Sequence, residues 1–256
     1  MEVFVVNAFV ENGMLGNPAG VCFVDEFPVD EKMRETAAKA GFSETAFVMK
    51  RKNDFFIRWW TPVTEVSLCG HATLAAAHMI IRGGHSGAVR FSAGDHKLLA
   101  EPRGEIIEMD FPSCPQTECA APEGIEETLG AEVVYAGRNS LDYLFELKSE
   151  GEVAKARPDM EKLKLLDSRG VIVTSACERD GYDFVSRFFA PRVGIDEDPV
   201  TGSAHSCLAP YWSGKTGEKK MKGLQISQRG GVVHTEVSGD RVKIGGGAAL
   251  DMTLAL

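Results

Sequence analysis

One short segment occurs twice in this chain. Arg58-Trp59-Trp60-Thr61-Pro62 returns as Arg187-Phe188-Phe189-Ala190-Pro191, 129 residues later in a chain of 256. A repeat at half the chain length constrains the fold more than any local propensity, because each half must then bury its apolar face with the same set of elements. The flanking order agrees. Each copy is followed by an acidic turn, Glu65 in the first and Asp196, Glu197 and Asp198 in the second. Each then reaches a start of small residues suited to a helix, Cys69-Gly70-His71-Ala72 and Thr201-Gly202-Ser203-Ala204, with three more residues before it in the second copy.

Upstream elements follow the same order. Asp30 to Ala40 is predicted as a helix, with Asp30 as N-cap and Gly41 as the stop; its counterpart is Pro158 to Leu166. Strands are predicted over Thr45 to Met49 and Asp54 to Trp60, and again over Val171 to Ser175 and Asp183 to Phe189. Ala72 to Ile81 is apolar nearly all round, so this helix is expected inside the fold. Its equivalent, Ala204 to Trp212, contains Pro210 and is expected to be broken and shorter. The first half is drawn as residues 1–112, completed by a returning strand at 248–256, and the second as 113–247. Prolines 112, 115 and 122 mark 113–124 as a linker, and Gly245-Gly246-Gly247 as a second hinge.

Charge excludes several classes. Lys and Arg total 28 against 37 for Asp and Glu, a net charge of -9, which disfavours nucleic acid and anionic membranes as partners. The apolar run from Ala72 to Ile81 is too short to span a bilayer. The N-terminus goes straight into a strand pattern with no basic segment and apolar stretch, so no signal peptide is expected. Six cysteines at 22, 69, 114, 119, 177 and 207 form no CxxC pair, which suits reduced thiols in a cytoplasm. His71, His205 and the cysteines have no compact ligand spacing, so no metal is expected. No Gly-x-Gly-x-x-Gly opens a helix after a strand, so no dinucleotide cofactor is expected. Ser203-Ala204-His205 does not fit a serine hydrolase elbow, because Ser206 occupies the final glycine position of Gly-x-Ser-x-Gly.

Chemistry is expected where the two small-residue helices begin. A helix N-terminus carries unsatisfied N–H groups and partial positive charge, and Gly70 and Gly202 would let an anion approach the backbone. If the halves are related by a pseudo-twofold, both termini can address one cleft and hold a carboxylate, or the enediolate formed beside it. Glu44, where a helix ends and an apolar strand begins, is the candidate base, since partial burial favours the neutral form that general acid–base chemistry uses. Asp198, before the second helix start, serves as a turn residue or faces the cleft. His71 could donate to or accept from substrate, whereas His78 and His205 read as packing or surface residues.

Together these residues resemble the PhzF-like family of phenazine biosynthesis, which shares the diaminopimelate epimerase-like fold. The matching segments run nearly end to end: Asn7-Ala8-Phe9, Gly16-Asn17-Pro18-Ala19-Gly20-Val21, Gly41 to Phe47, Leu68 to Leu74, Arg187 to Pro191, and Gly194 to His205. The resemblance implies an α+β fold of two similar halves, each a β-barrel-like sheet around a central helix. It implies an isomerase needing no cofactor or metal, similar to the enzyme that isomerises dihydro-hydroxyanthranilate, and a homodimer. It implies Glu44 as the proton-shuttling carboxylate, with His71, Asp198 and Ser203 lining the site beside Asn17, Gly70 and Gly202. The epimerase relatives use two thiols. Here Cys69 stands at one such place and Thr201 at the other, so one thiol is missing.

Three readings follow. An isomerase would move a proton on a small carboxylic acid with Glu44. A two-base epimerase or racemase would use Cys69 with Asp198 or another partner. A carboxylate-binding protein would keep the site without catalysis.

Overall fold

The computed structural model describes residues 1–52 and 54–256. It divides into two compact units, Met1–Asp110 with Gly245–Leu256, and Phe111–Ile244. The first contains β1 (Glu2–Ala8), β2 (Asn17–Val24), α1 (Asp30–Ala40), β3 (Thr45–Arg51), β4 (Asp54–Trp60), β5 (Glu65–Val66), α2 (Gly70–Arg82), β6 (Val89–Ala93), β7 (His96–Arg103) and β8 (Ile106–Pro112). The second contains β9 (Thr117–Glu118), α3 (Ile125–Leu129), β10 (Val133–Arg138), β11 (Asp142–Leu147), α4 (Glu150–Lys155), α5 (Met160–Lys164), β12 (Gly170–Ala176), β13 (Phe184–Ala190), β14 (Ile195–Asp198), α6 (Gly202–Thr216), β15 (Lys220–Gln225), β16 (Gly231–Ser238) and β17 (Arg241–Gly246). The last strand, β18 (Ala248–Ala255), pairs antiparallel with β1 in the first unit.

The repeat is written into the strand pairing. In the first unit β1 is antiparallel to β2, β2 parallel to β3, β3 antiparallel to β4, β4 parallel to β6, and β6 antiparallel to β7, with β5 folded back on β4. In the second, β10 is antiparallel to β11, β11 parallel to β12, β12 antiparallel to β13, β13 parallel to β15, and β15 antiparallel to β16, with β14 folded back on β13. Each parallel step needs a crossover. α1 supplies it between β2 and β3, and α4 with α5 between β11 and β12.

α2 is the central helix of its unit. Residues His71 to Ala77 and Ile80 are buried, and the helix packs against β1, β2, β3, β6 and β18, so the sheet curls round it. Fully burying a side chain such as Leu74 contributes about 1.5–3 kcal/mol. α1 lies on the other face of the sheet, where Met33 and Ala37 join Val3, Cys22, Phe47 and Trp60.

Several local expectations are corrected. α6 is not broken at Pro210; it runs for 15 residues with the proline inside. Proline removes the N–H that would bond the carbonyl four residues earlier. That carbonyl, on Ser206, accepts instead from the backbone N–H of Cys114 at 3.0 Å. Asp30 is the first helical residue of α1 rather than its N-cap; Val29 holds that place, and the Asp30 carboxylate bonds Arg58 at 2.9 Å. Gly41 does end α1 in the left-handed conformation, with φ of 75°. The expected helix from Pro158 to Leu166 is only the five residues of α5, preceded by α4. The segment read as a linker contains β9, which pairs with β10. None of the six cysteines is in a disulfide. No helix among the described residues is long and apolar enough to cross a membrane.

The repeated arginine has the same partner in both halves. Arg58 grips Glu65 through Nε (2.7 Å) and Nη2 (2.6 Å), and Arg187 grips Glu197 through Nε (2.7 Å) and Nη2 (2.9 Å). This two-bond geometry matches the planar guanidinium to a carboxylate. The third nitrogen of Arg187 donates to the carbonyls of Val153 and Ala156, holding the end of α4. The three extra residues of the second copy are absorbed where a 3-10 turn, Pro191–Val193, precedes β14.

Candidate active site

In the first unit, Glu44 precedes β3 directly after the chain leaves α1 at Gly41. Its backbone is fixed by the Gly20 N–H, which donates to the Glu44 carbonyl at 3.1 Å. Its side chain is 15% exposed. His71, the second residue of α2, is buried, and its Nε2 lies 3.5 Å from Glu44 Oε2. That contact is an ion-pair distance and not a well-formed hydrogen bond, and Nε2 has no hydrogen-bond partner among the described residues. On the other ring nitrogen, Nδ1 lies 3.5 Å from the Cys69 sulfur. If the thiol donates to Nδ1, the ring proton sits on Nε2 and faces Glu44.

Glu44, Cys69 and His71 thus offer one oxygen, one sulfur and one nitrogen, all within 4.8 Å of one another. Linear spacing does not reveal this cluster, because the sheet delivers Glu44 to a pair of side chains that are close in sequence. Such a donor set is chemically able to ligate a thiophilic divalent ion. Gly70 is the first residue of α2. Asn17 is buried at the start of β2, the strand parallel to β3.

In the second unit, Asp198 ends β14 and is buried. The Thr201 hydroxyl donates to its Oδ2. Gln225, wholly buried on β15, clamps this turn. Its amide nitrogen donates to the Asp198 carbonyl (2.8 Å) and to Thr201 Oγ1 (3.2 Å), and its oxygen accepts from the Thr201 N–H (2.8 Å). Ser227 adds a bond to the Pro199 carbonyl at 2.7 Å. His205, read from sequence as packing or surface, is fully buried, with Nδ1 donating to the Thr201 carbonyl at 2.9 Å. Burial lowers its pKa to about 4, against the opposing pull of that bond. Gly202 begins α6, and Ser203 follows with its hydroxyl accepting from Arg169 Nη1 at 3.0 Å.

The structure therefore gathers Glu44, Gly70 and His71 in one unit, and Asp198, Gly202 and Ser203 in the other. Sequence reasoning missed Gln225, Ser227 and Arg169, which lie outside the repeated motif. α2 and α6 share one further feature. Neither has a side-chain cap or an acidic residue in its first turn, whereas α4 and α5 are capped by Ser149 and Asp159. Uncapped N–H groups of this kind suit an anion.

The strand registers show where the halves diverge. Thr45 faces Trp60 and Val171 faces Phe189. Trp60 and Phe189 hold the same place in the repeat, so Glu44 answers to Gly170 and Ser43 to Arg169. The second half has no carboxylate at this point, and an added Cβ on Gly170 would collide with the Phe188 ring and sit 3.0 Å from the Phe189 carbonyl.

Comparison with known proteins agrees with this architecture. Residues 6–253 match the family model described as phenazine biosynthesis-like protein. An uncharacterized isomerase of Halalkalibacterium halodurans is 43% identical over 244 residues, covering 94% of this chain and 92% of that protein. One from Pseudomonas aeruginosa is 43% identical over 258 residues, covering 99% and 97%. The crystal structure of a PhzF-family phenazine biosynthesis protein from Enterococcus faecalis superposes with a TM-score of 0.93 at 37% identity, covering 98% of this chain and 97% of that one.

Proposed function

This chain belongs to the phenazine biosynthesis-like protein family, and from that premise we propose that it is an isomerase that moves a proton on a small carboxylic acid, with Glu44 as general acid and base. The observation that carries the reading is the Glu44–His71 pair: a mostly buried carboxylate 3.5 Å from a ring nitrogen that has no hydrogen-bond partner among the described residues. One carboxylate can take a proton from one carbon and return it to another if it reaches both positions. His71 faces the acid and holds it as its charge changes. The uncapped starts of α2, at Gly70, and of α6, at Gly202-Ser203, are each suited within their own unit to bind negative charge on a substrate. Asn17 is assigned to substrate binding, and Asp198 is kept as a candidate catalytic residue. The working form is taken to be a homodimer, which light scattering would check.

The experiment is a panel of small cyclic and acyclic carboxylic acids incubated with the protein in deuterated water. Deuterium entering product, or a migrated double bond, supports the isomerase. Tight binding of an acid with neither change would favour a binding protein.

A second reading has one observation in its favour. Cys69 lies 3.5 Å from His71, close enough for the thiol to exchange a proton with the ring. An epimerase using Cys69 would need its second base elsewhere, because Thr201 stands at the matching position and its hydroxyl is bonded to Asp198.

A further inference from the structure

The two halves carry opposite chemistry at equivalent places. Before β3, Glu44 reaches His71. Before β12, Gly170 has no side chain to offer, and Arg169 reaches Ser203, the repeat partner of His71. Where the first unit sets a carboxylate against an imidazole, the second sets a guanidinium against a hydroxyl.

Arg169 is held from behind. Its Nε donates to Asp142 Oδ1 at 2.9 Å and its Nη2 to Asp142 Oδ2, and Asp142 is buried. The guanidinium stacks over Phe188, 5.3 Å from the ring centroid. A guanidinium has five N–H bonds. Asp142 takes two and Ser203 Oγ one, which leaves one N–H on each terminal nitrogen without a protein acceptor among the described residues. The side chain is 32% exposed, so those bonds are accessible. Ser203 Oγ accepts from Arg169, and its hydroxyl keeps a proton to donate. The cluster therefore presents three donors, two from Arg169 and one from Ser203. Cationic N–H bonds beside a hydroxyl bind an anionic carboxylate through charge-assisted bonds, which are stronger than those to a neutral amide.

We propose that Arg169, with the Ser203 hydroxyl, is the carboxylate-recognition element of this protein, Arg169 contacting the substrate directly and Asp142 fixing the plane of its guanidinium. The assignment rests on the reading of the substrate as a carboxylic acid.

The test uses benzoate and benzamide as probes, a ring acid and its neutral counterpart. Titration calorimetry on the full chain should find benzoate bound and benzamide bound about tenfold or more weakly, and Arg169→Gln should lose about tenfold or more of the benzoate affinity. Arginine side-chain nitrogen spectra should show the Arg169 resonance moving with benzoate and not with benzamide. Arg169→Gln leaves Asp142 buried without its cation, so Asp142→Asn/Arg169→Gln, which removes that charge, serves as a folded second variant. Equal affinity for the two probes, no binding of either by the wild type, or unchanged benzoate affinity in a folded variant overturns the proposal. Benzoate binding needs no proton transfer, so a protein that exchanges no deuterium but loses benzoate on Arg169→Gln sinks the isomerase and keeps the recognition element.

Discussion

Cys69 Sγ lies 3.5 Å from Nδ1 of His71, on the ring nitrogen that Glu44 does not face. The imidazole therefore stands between a thiol and a carboxylate, and each of the two candidate bases can be removed while the other is kept.

Removing the carboxylate is the central test. Glu44→Gln keeps the size and much of the hydrogen bonding but cannot take up a proton. General acid–base groups are typically worth about 10²–10⁴-fold in rate. The variant is expected to be folded, to bind the acid, and to lose that much turnover, measured as deuterium incorporation. Turnover within a few-fold of wild type would make Glu44 structural and move the search to Asp198 or His71.

Removing the thiol should matter far less. Cys69 is the N-cap residue of α2, a place that serine favours, so Cys69→Ser should fold at least as well. Activity within about tenfold of wild type is expected, below the usual worth of a catalytic base. A fall of several orders of magnitude, with unchanged circular dichroism, would instead favour the thiol-based epimerase.

His205 makes stability depend on pH. Its folded pKa is lowered to about 4, from an ordinary value of 6.5, because the ring is fully buried. An unfolded chain would bind a proton below pH 6.5 that the folded chain refuses. The stabilisation is therefore fully present above pH 6.5 and is lost as pH falls towards 4, by on the order of 3 kcal/mol. His78, lowered in the same direction by burial and Arg82, adds to the slope. Urea unfolding of wild type and His205→Asn between pH 7 and 4 measures it. Identical slopes in the two proteins would assign the pH dependence to other groups.

Gly170 should resist substitution. Gly170→Ala places a methyl group into the Phe188 ring and against the Phe189 backbone, and overpacking of this kind costs about 1–3 kcal/mol. Adding Phe188→Leu should recover part of the loss in thermal unfolding. A neutral Gly170→Ala would mean that the packing around Phe188 can move, and that the missing carboxylate in the second half is not enforced by sterics.

The amino-acid sequence alone determined the duplication and most of its elements, because those signals are local. Alternation of apolar residues, a glycine that ends α1 at positive φ, and a recurring Arg-aromatic-aromatic-x-Pro can all be read from neighbours along the chain. It also singled out Glu44 and His71, since each sits in a motif where a loop gives way to a strand or a helix. Only the tertiary structure decided how α6 survives Pro210, since the rescuing N–H comes from Cys114, far away in sequence. Only the tertiary structure brought Glu44 to His71 and Cys69, and Gln225 and Arg169 to the turn and helix start of the second half. The physical reason is common to these cases. A buried polar group must find a partner, and that partner is chosen by strand pairing and chain crossing, which no local pattern records.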